Sequence, residues 1–216
     1  MNKLKCEEKL KKQINELENS EVNEVINQRV EEFKELKEKG NKEWFDELCF
    51  CILTANSSAD MGIKIQNYMK KRDGFQRFNK NEIRNVLKEK GYRFYNRRAE
   101  YISLSQRYKD NIKDTLNSLD NSFEKREWII DNVKGIGYKE GSHFLRNVGY
   151  LDLAILDRHI LRCMDKNNFI NIPKTLTRKR YLNIEDKFKE FSEEVNLMPG
   201  ELDLYLWYLE TGEVKK

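Results

Sequence analysis

An all-α fold is encoded here, on three counts. Only 2 prolines interrupt 216 residues. Apolar side chains recur every three or four positions through long charged segments. The breaks between those segments fall at Gly, Asn and Ser, residues that end or cap helices. With 36% charged and 38% hydrophobic residues, the composition is that of helices with one apolar and one solvated face.

The elements follow in order. Residues 2 to 39 are nearly all Lys, Glu, Asn and aliphatic residues at helical spacing, stopping at Gly40, and predict one or two amphipathic helices. WFDELCFCILTAN (44 to 56) is apolar nearly all round and predicts a core helix. Asn56, Ser57 and Ser58 then mark a sharp corner before a helical pattern resumes at Ala59. Short helices are expected at about 81 to 90, 96 to 108 and 111 to 117, followed by the apolar REWIIDNV. Asp157 stands at an N-cap position for RHILRCMDK, a further helix is expected from about 177 to 195, and Pro199-Gly200 opens a last one with Leu202, Tyr205, Leu206 and Leu209 on one face.

Several function classes drop out. No apolar run is long enough to span a bilayer, and MNKLKCEEKLKKQ has neither a signal core nor a transit composition, so a cytoplasmic protein without a membrane partner is expected. Cys6, Cys49, Cys51 and Cys163 are too scattered for a disulfide framework or a four-thiolate site, and Cys49 and Cys51 suit buried thiols. His143 and His159 are too few for a recognisable metal site, so no metal is expected. Lys and Arg outnumber Asp and Glu by only 41 to 37, so a nucleic-acid footprint has to be a local patch. The same charge runs equally suit solvated helix faces.

The most unusual window is VKGIGYKEGSHFLRNVGY, which holds four of the 10 glycines. It reads as helix, tight hairpin, helix. Gly135 and Gly137 flank Ile136; glycine takes positive φ and has no Cβ, which lets backbone N–H groups approach an anion, and the next helix adds its N-terminal amides and dipole. That suits a DNA backbone, and it also suits a plain turn between packed helices. Lys139 lies in the first turn of the second helix, where a cation faces the positive end of the dipole. Such a placement makes sense if the amine has to shed its proton and act as a nucleophile, or if it neutralises a phosphate. Asp157 follows 18 residues later, after an apolar segment that brings the chain back. As an N-cap it serves either as a structural cap or as an ionised carboxylate that stabilises positive charge on a sugar.

GIGYK (135 to 139) followed by LDRH (156 to 159) resembles the helix-hairpin-helix DNA glycosylase superfamily, whose lyase members carry a lysine two residues after the hairpin and a downstream aspartate. The departure is Val133-Lys134, where many members have Leu-Pro. More narrowly, ILTANSSADMG (52 to 62), RFYNRRAEYI (93 to 102), the hairpin and the terminal LWYLETGEVKK are similar to the archaeal-type 8-oxoguanine DNA glycosylases. The resemblance implies two helical subdomains with the active site in the cleft between them: a six-helix barrel over 42–150 ending in the hairpin, and a second domain from 1–41 plus 151–216. It implies Lys139 and Asp157 as the catalytic pair. Phe94, Trp207 and the terminal Lys216 become the pocket for a flipped base, and Asn56, Gly135, Ile136 and Gly137 the DNA contacts, with RFYNRR and the region of Arg178 to Arg180 holding phosphates.

The expected activity is therefore removal of an oxidised base from double-stranded DNA through a lysine Schiff base, with strand cleavage, by a monomer that needs no cofactor. A monovalent cation on the hairpin carbonyls is allowed by the resemblance, whereas an iron–sulfur cluster, needing four grouped cysteines, is not. His159 reads as a helix-surface or interdomain contact. Alternatives are the same chemistry on another oxidised base and a non-catalytic DNA-binding hairpin module.

Overall fold

The computed structural model describes residues 3–216; residue 2, the expected start of the first helix, lies outside them. Among the described residues there are thirteen α-helices, one 3-10 turn and no strand. None of the helices is long and apolar enough to cross a membrane. The chain divides into two compact units, one running up to Lys34 and resuming at Gly149–Lys216, the other Glu35–Val148. The first seam lies inside a helix, where no change of composition marks it.

The terminal unit contains α1 (Lys3–Glu18), the larger part of α2 (Glu21–Glu38), α11 (Arg158–Lys166), α12 (Arg178–Glu194) and α13 (Pro199–Thr211). Ile26, Val30 and Phe33 recur at helical spacing on α2 and cluster with Leu204 and Tyr205 of α13. The Tyr205 hydroxyl ties the same two helices by donating to Asn23 Oδ1 at 2.6 Å. α13 begins with Pro199 at its first position, where the missing N–H costs nothing, and ends at Gly212 with φ +75°.

The central unit is built around α3 (Asn41–Thr54), every residue of which from Trp44 to Thr54 is buried, as the all-round apolar pattern predicts. Around it lie α4 (Ala59–Lys70), α5 (Gly74–Arg77), α6 (Lys80–Glu89), α7 (Tyr95–Ser105) with a 3-10 turn at Gln106–Tyr108, α8 (Ile112–Asn117), α9 (Ser122–Asn132) and α10 (Tyr138–Asn147). Three of these helices start on capping side chains: Ser58, Asn79 and Asn121 each accept a first-turn amide, at 3.3, 2.9 and 2.9 Å. The four-residue α5 is too short to print a period and has no counterpart in the sequence pattern.

Two carboxylates in the apolar α3 are not errors of patterning. Glu47 is buried and takes hydrogen bonds from Gln66 of α4 at 3.0 Å and from Asn147 of α10 at 2.7 Å. Asn147 Oδ1 accepts in turn from Arg146 Nε and Nη2 at 3.1 and 3.0 Å. Asp46 accepts from Gln76 at 2.8 Å, and burial nevertheless raises its carboxyl above the usual range. The Glu47 bonds fix α10, the helix that carries Lys139, against the centre of the core. Trp44 and Phe144 add an edge-on ring contact with centroids 6.2 Å apart. All four cysteines are free and buried, and burial holds the Cys163 thiol up at about 12.

Candidate active site

The hairpin in the central unit is short. α9 ends as Val133 turns to extended backbone, and the Ile136 N–H closes the turn onto Val133 O at 3.3 Å. Gly135 has φ +91°, and a Cβ placed there would lie 2.2 Å from Cδ2 of Tyr101. Both its dihedral and the ring against it exclude any other residue. Gly137 differs from expectation: at φ −110° and ψ −167° it is ordinary extended backbone, and a Cβ would meet only Glu140 Oε2 at 3.6 Å. The freedom of glycine is therefore used at one of the two positions. At Gly137, the N-cap of α10, what counts is that no side chain caps the first-turn amides. Gly135→Ala is expected to cost about 2–4 kcal/mol, from the disfavoured φ and the overpacked ring, which a urea-unfolding midpoint will read. Gly137→Ala, under the same measurement, stays within about 0.5 kcal/mol.

Lys139 is the second residue of α10 and its side chain is 26% exposed. Its Nζ lies 3.6 Å from Oε1 of Glu140, an acid that the sequence reading passed over although it stands next in the chain. The hairpin is braced by α9: Tyr138 donates to Glu127 Oε1 at 2.7 Å, and the fully buried Arg126 donates to Ser142 Oγ at 2.9 Å. Ile136 is buried, so what it presents outward is backbone and not its side chain.

Three of the expected site features converge on α7. Phe94 is its N-cap residue, partly exposed, with the Arg93 guanidinium 5.0 Å from the ring centroid. One turn on, Arg98 Nη2 donates to Ala55 O at 2.6 Å, and Tyr92 donates to Leu53 O at 2.5 Å, so the last carbonyls of α3 are satisfied by side chains that arrive from far along the chain. This fixes the corner at which Asn56 sits exposed with φ +60°, a conformation asparagine tolerates better than most residues. A further turn on, Tyr101 packs against Gly135. Arg98 thus corrects one expectation: within RFYNRR it is buried and committed to a helix end, leaving Arg93 and Arg97 as the exposed arginines. Neither Arg98 nor Tyr101 was singled out from sequence, where one is simply an arginine among three and the other one aromatic among several.

In the terminal unit Asp157 caps α11, its Oδ1 accepting from His159 N at 2.8 Å and Ile160 N at 2.9 Å. Both bonds fall on one oxygen, so Oδ2 is not committed to the cap. His159 is not a bare surface residue: its ring packs against Trp207 of α13 with centroids 4.7 Å apart and planes tilted by 57°, and Arg158 Nε donates to its Nε2 at 3.2 Å. The cap and Trp207 are thereby neighbours. The far end of the same helix pair is closed by Lys166 Nζ on Glu210, at 2.7 and 3.0 Å. The tail is not loose, since Val214 packs against the Ile26–Val30–Phe33 cluster, and it leaves Lys216 partly exposed at the chain end.

A family model described as 8-oxoguanine DNA glycosylase matches residues 26–197. The 8-oxoguanine DNA glycosylase/AP lyase of Methanocaldococcus jannaschii is 56% identical over 206 residues, covering 95% of this chain and 98% of that one. The crystal structure of the M. jannaschii 8-oxoguanine DNA glycosylase superposes with a TM-score of 0.95 at 54% identity over all of both chains. A second structure, of the M. jannaschii glycosylase/lyase in complex with a 15mer DNA containing 8-oxoguanine, gives 0.92 at 55% identity over 96% of this chain and 99% of that one. With the matches running along nearly its whole length, the chain belongs to the 8-oxoguanine DNA glycosylase family.

Proposed function

We propose that this protein excises 8-oxoguanine from double-stranded DNA and then cleaves the strand as an AP lyase. The observation that carries the reading is Lys139 in the first turn of α10, behind a hairpin whose following helix has no side-chain cap. Open amides and the helix dipole attract a DNA phosphate and so hold the duplex beside this amine. The neutral Nζ attacks C1′ of the lesion sugar, the bond from C1′ to the base breaks, and the base leaves with the electron pair and takes up a proton. Ring opening gives a Schiff base between Nζ and C1′; loss of a C2′ proton then expels the 3′ phosphate by β-elimination. The Asp157 carboxylate stabilises positive charge as it develops on the sugar.

Phe94, Trp207 and Lys216 are the residues assigned to the flipped base, and Asn56 to the gap it leaves in the duplex. The partly buried Trp207 supports this, because its indole N–H is shielded from solvent and meets no acceptor among the described residues. The reaction needs no metal or organic cofactor. Were a monovalent cation to bind, the hairpin carbonyls would hold it, as oxygen donors of the kind hard cations take. The protein acts as a monomer in the cytoplasm.

Single-turnover assays of the wild-type chain on duplexes with 8-oxoguanine or oxidised pyrimidines test this. Release of 8-oxoguanine with a nick at the lesion is expected. Excision confined to the pyrimidine lesions would reassign the substrate, and binding without excision of any lesion would leave only a DNA-binding hairpin module.

A further inference from the structure

The segment that delivers Asp157 is neither helix nor strand, yet Leu153, Ala154, Ile155 and Leu156 are all buried. Its backbone groups need partners away from water. Two come from one face of α12. Glu185 Oε1 accepts from the Ala154 N–H at 3.0 Å. The Tyr181 hydroxyl donates to Ala154 O at 2.8 Å and accepts from the Leu156 N–H at 3.3 Å. Tyr181 and Glu185 are four residues apart, so they lie one above the other on the helix, and each is only 2% exposed. Directly after this bridge the Asp157 N–H bonds Ile155 O at 2.9 Å, a tight three-residue turn, and the Asp157 side chain caps α11.

We infer that Tyr181 and Glu185 are positioning residues for the Asp157 carboxylate. A single phenolic oxygen, at the end of a ring with two rotatable bonds and no slack, pins the peptide groups on both sides of Ile155. Glu185 pins the peptide before them. The turn into Asp157 is then held from both directions, by α12 upstream and by the α11 amides downstream, and the uncommitted Oδ2 keeps one orientation. Displacement of a reacting group by less than an ångström is enough to lower a rate by one to two orders of magnitude. This inference rests on the reading of Asp157 as the carboxylate used in excision.

Tyr181→Phe tests it by removing one oxygen and leaving the ring in the core. Single-turnover excision of 8-oxoguanine is expected to fall about tenfold while duplex affinity stays within about twofold. In an Asp157→Asn background the same change is expected to do nothing further to excision, because the group it positions is gone. An equal loss in both backgrounds, or wild-type excision by Tyr181→Phe alone, overturns the proposal. Hydrogen exchange on the wild-type chain gives an answer that depends on neither activity nor variant folding. The Ala154 and Leu156 amides are expected to be protected like the interior of α12, and exchange at loop rates overturns the clamp. If the wild-type chain excised nothing, the functional reading would fail while the exchange result still decided the clamp.

Discussion

Lys139→Gln is expected to abolish the covalent protein–DNA complex that borohydride traps on an 8-oxoguanine duplex, and to remove strand cleavage with it. Glutamine keeps a polar side chain only one atom shorter but supplies no amine, so no Schiff base exists to be reduced. The loss is on the order of 10³-fold or more, the scale on which removal of a nucleophile is felt. Folding offers no alternative explanation. Lys139 sits where its charge opposes the dipole of α10, so neutralising it there changes stability by about 0.3–1 kcal/mol at most, partly offset by the lost 3.6 Å pair with Glu140. A trapped complex of unchanged yield in the variant would remove Lys139 from the mechanism.

The second large effect is expected from Asp157→Asn, and here the structure separates two roles that one residue combines. Asparagine is as good an N-cap as aspartate, and its amide oxygen can take over the bonds that Oδ1 accepts from His159 N and Ile160 N. Stability should therefore move by less than about 0.5 kcal/mol, whereas Asp157→Ala loses about 1 kcal/mol with the cap. Excision, which needs the negative charge, should fall about 10²- to 10³-fold in both variants. Thermal melts alongside single-turnover rates check both halves. Excision by Asp157→Asn within a few fold of wild type would make Asp157 a cap and nothing more.

What could be read before the structure was local. Helix positions, the corner at Asn56, the turn at Gly135, the first-turn place of Lys139 and the cap at Asp157 each follow from a window of a few residues, because periodicity, φ preference and capping are properties of neighbours. Most of the missing parts are contacts across long separations. Arg98 reaches Ala55 over 43 residues, and Tyr181 reaches Ala154 over 27. Glu185 reaches Ala154 over 31 residues and Asn147 reaches Glu47 over 100. Nothing in RFYNRR distinguishes the arginine that ends a helix from the two left to solvent. Gly137 shows the converse: the motif is right, and the property assumed for its second glycine is not the one the backbone uses.

Phe94, Arg98 and Tyr101 fall at intervals of four and three residues on α7, hence along one side of it. That single rod begins at Phe94, ties the corner of Asn56 through Arg98 and meets the turn of the hairpin through Tyr101. Any sliding of α7 along its axis would carry the three together and preserve the spacing between them, as teeth on one rack travel at a common pitch. Within the central unit one helix thus links the corner of Asn56 to the turn of the hairpin and sets the spacing between them.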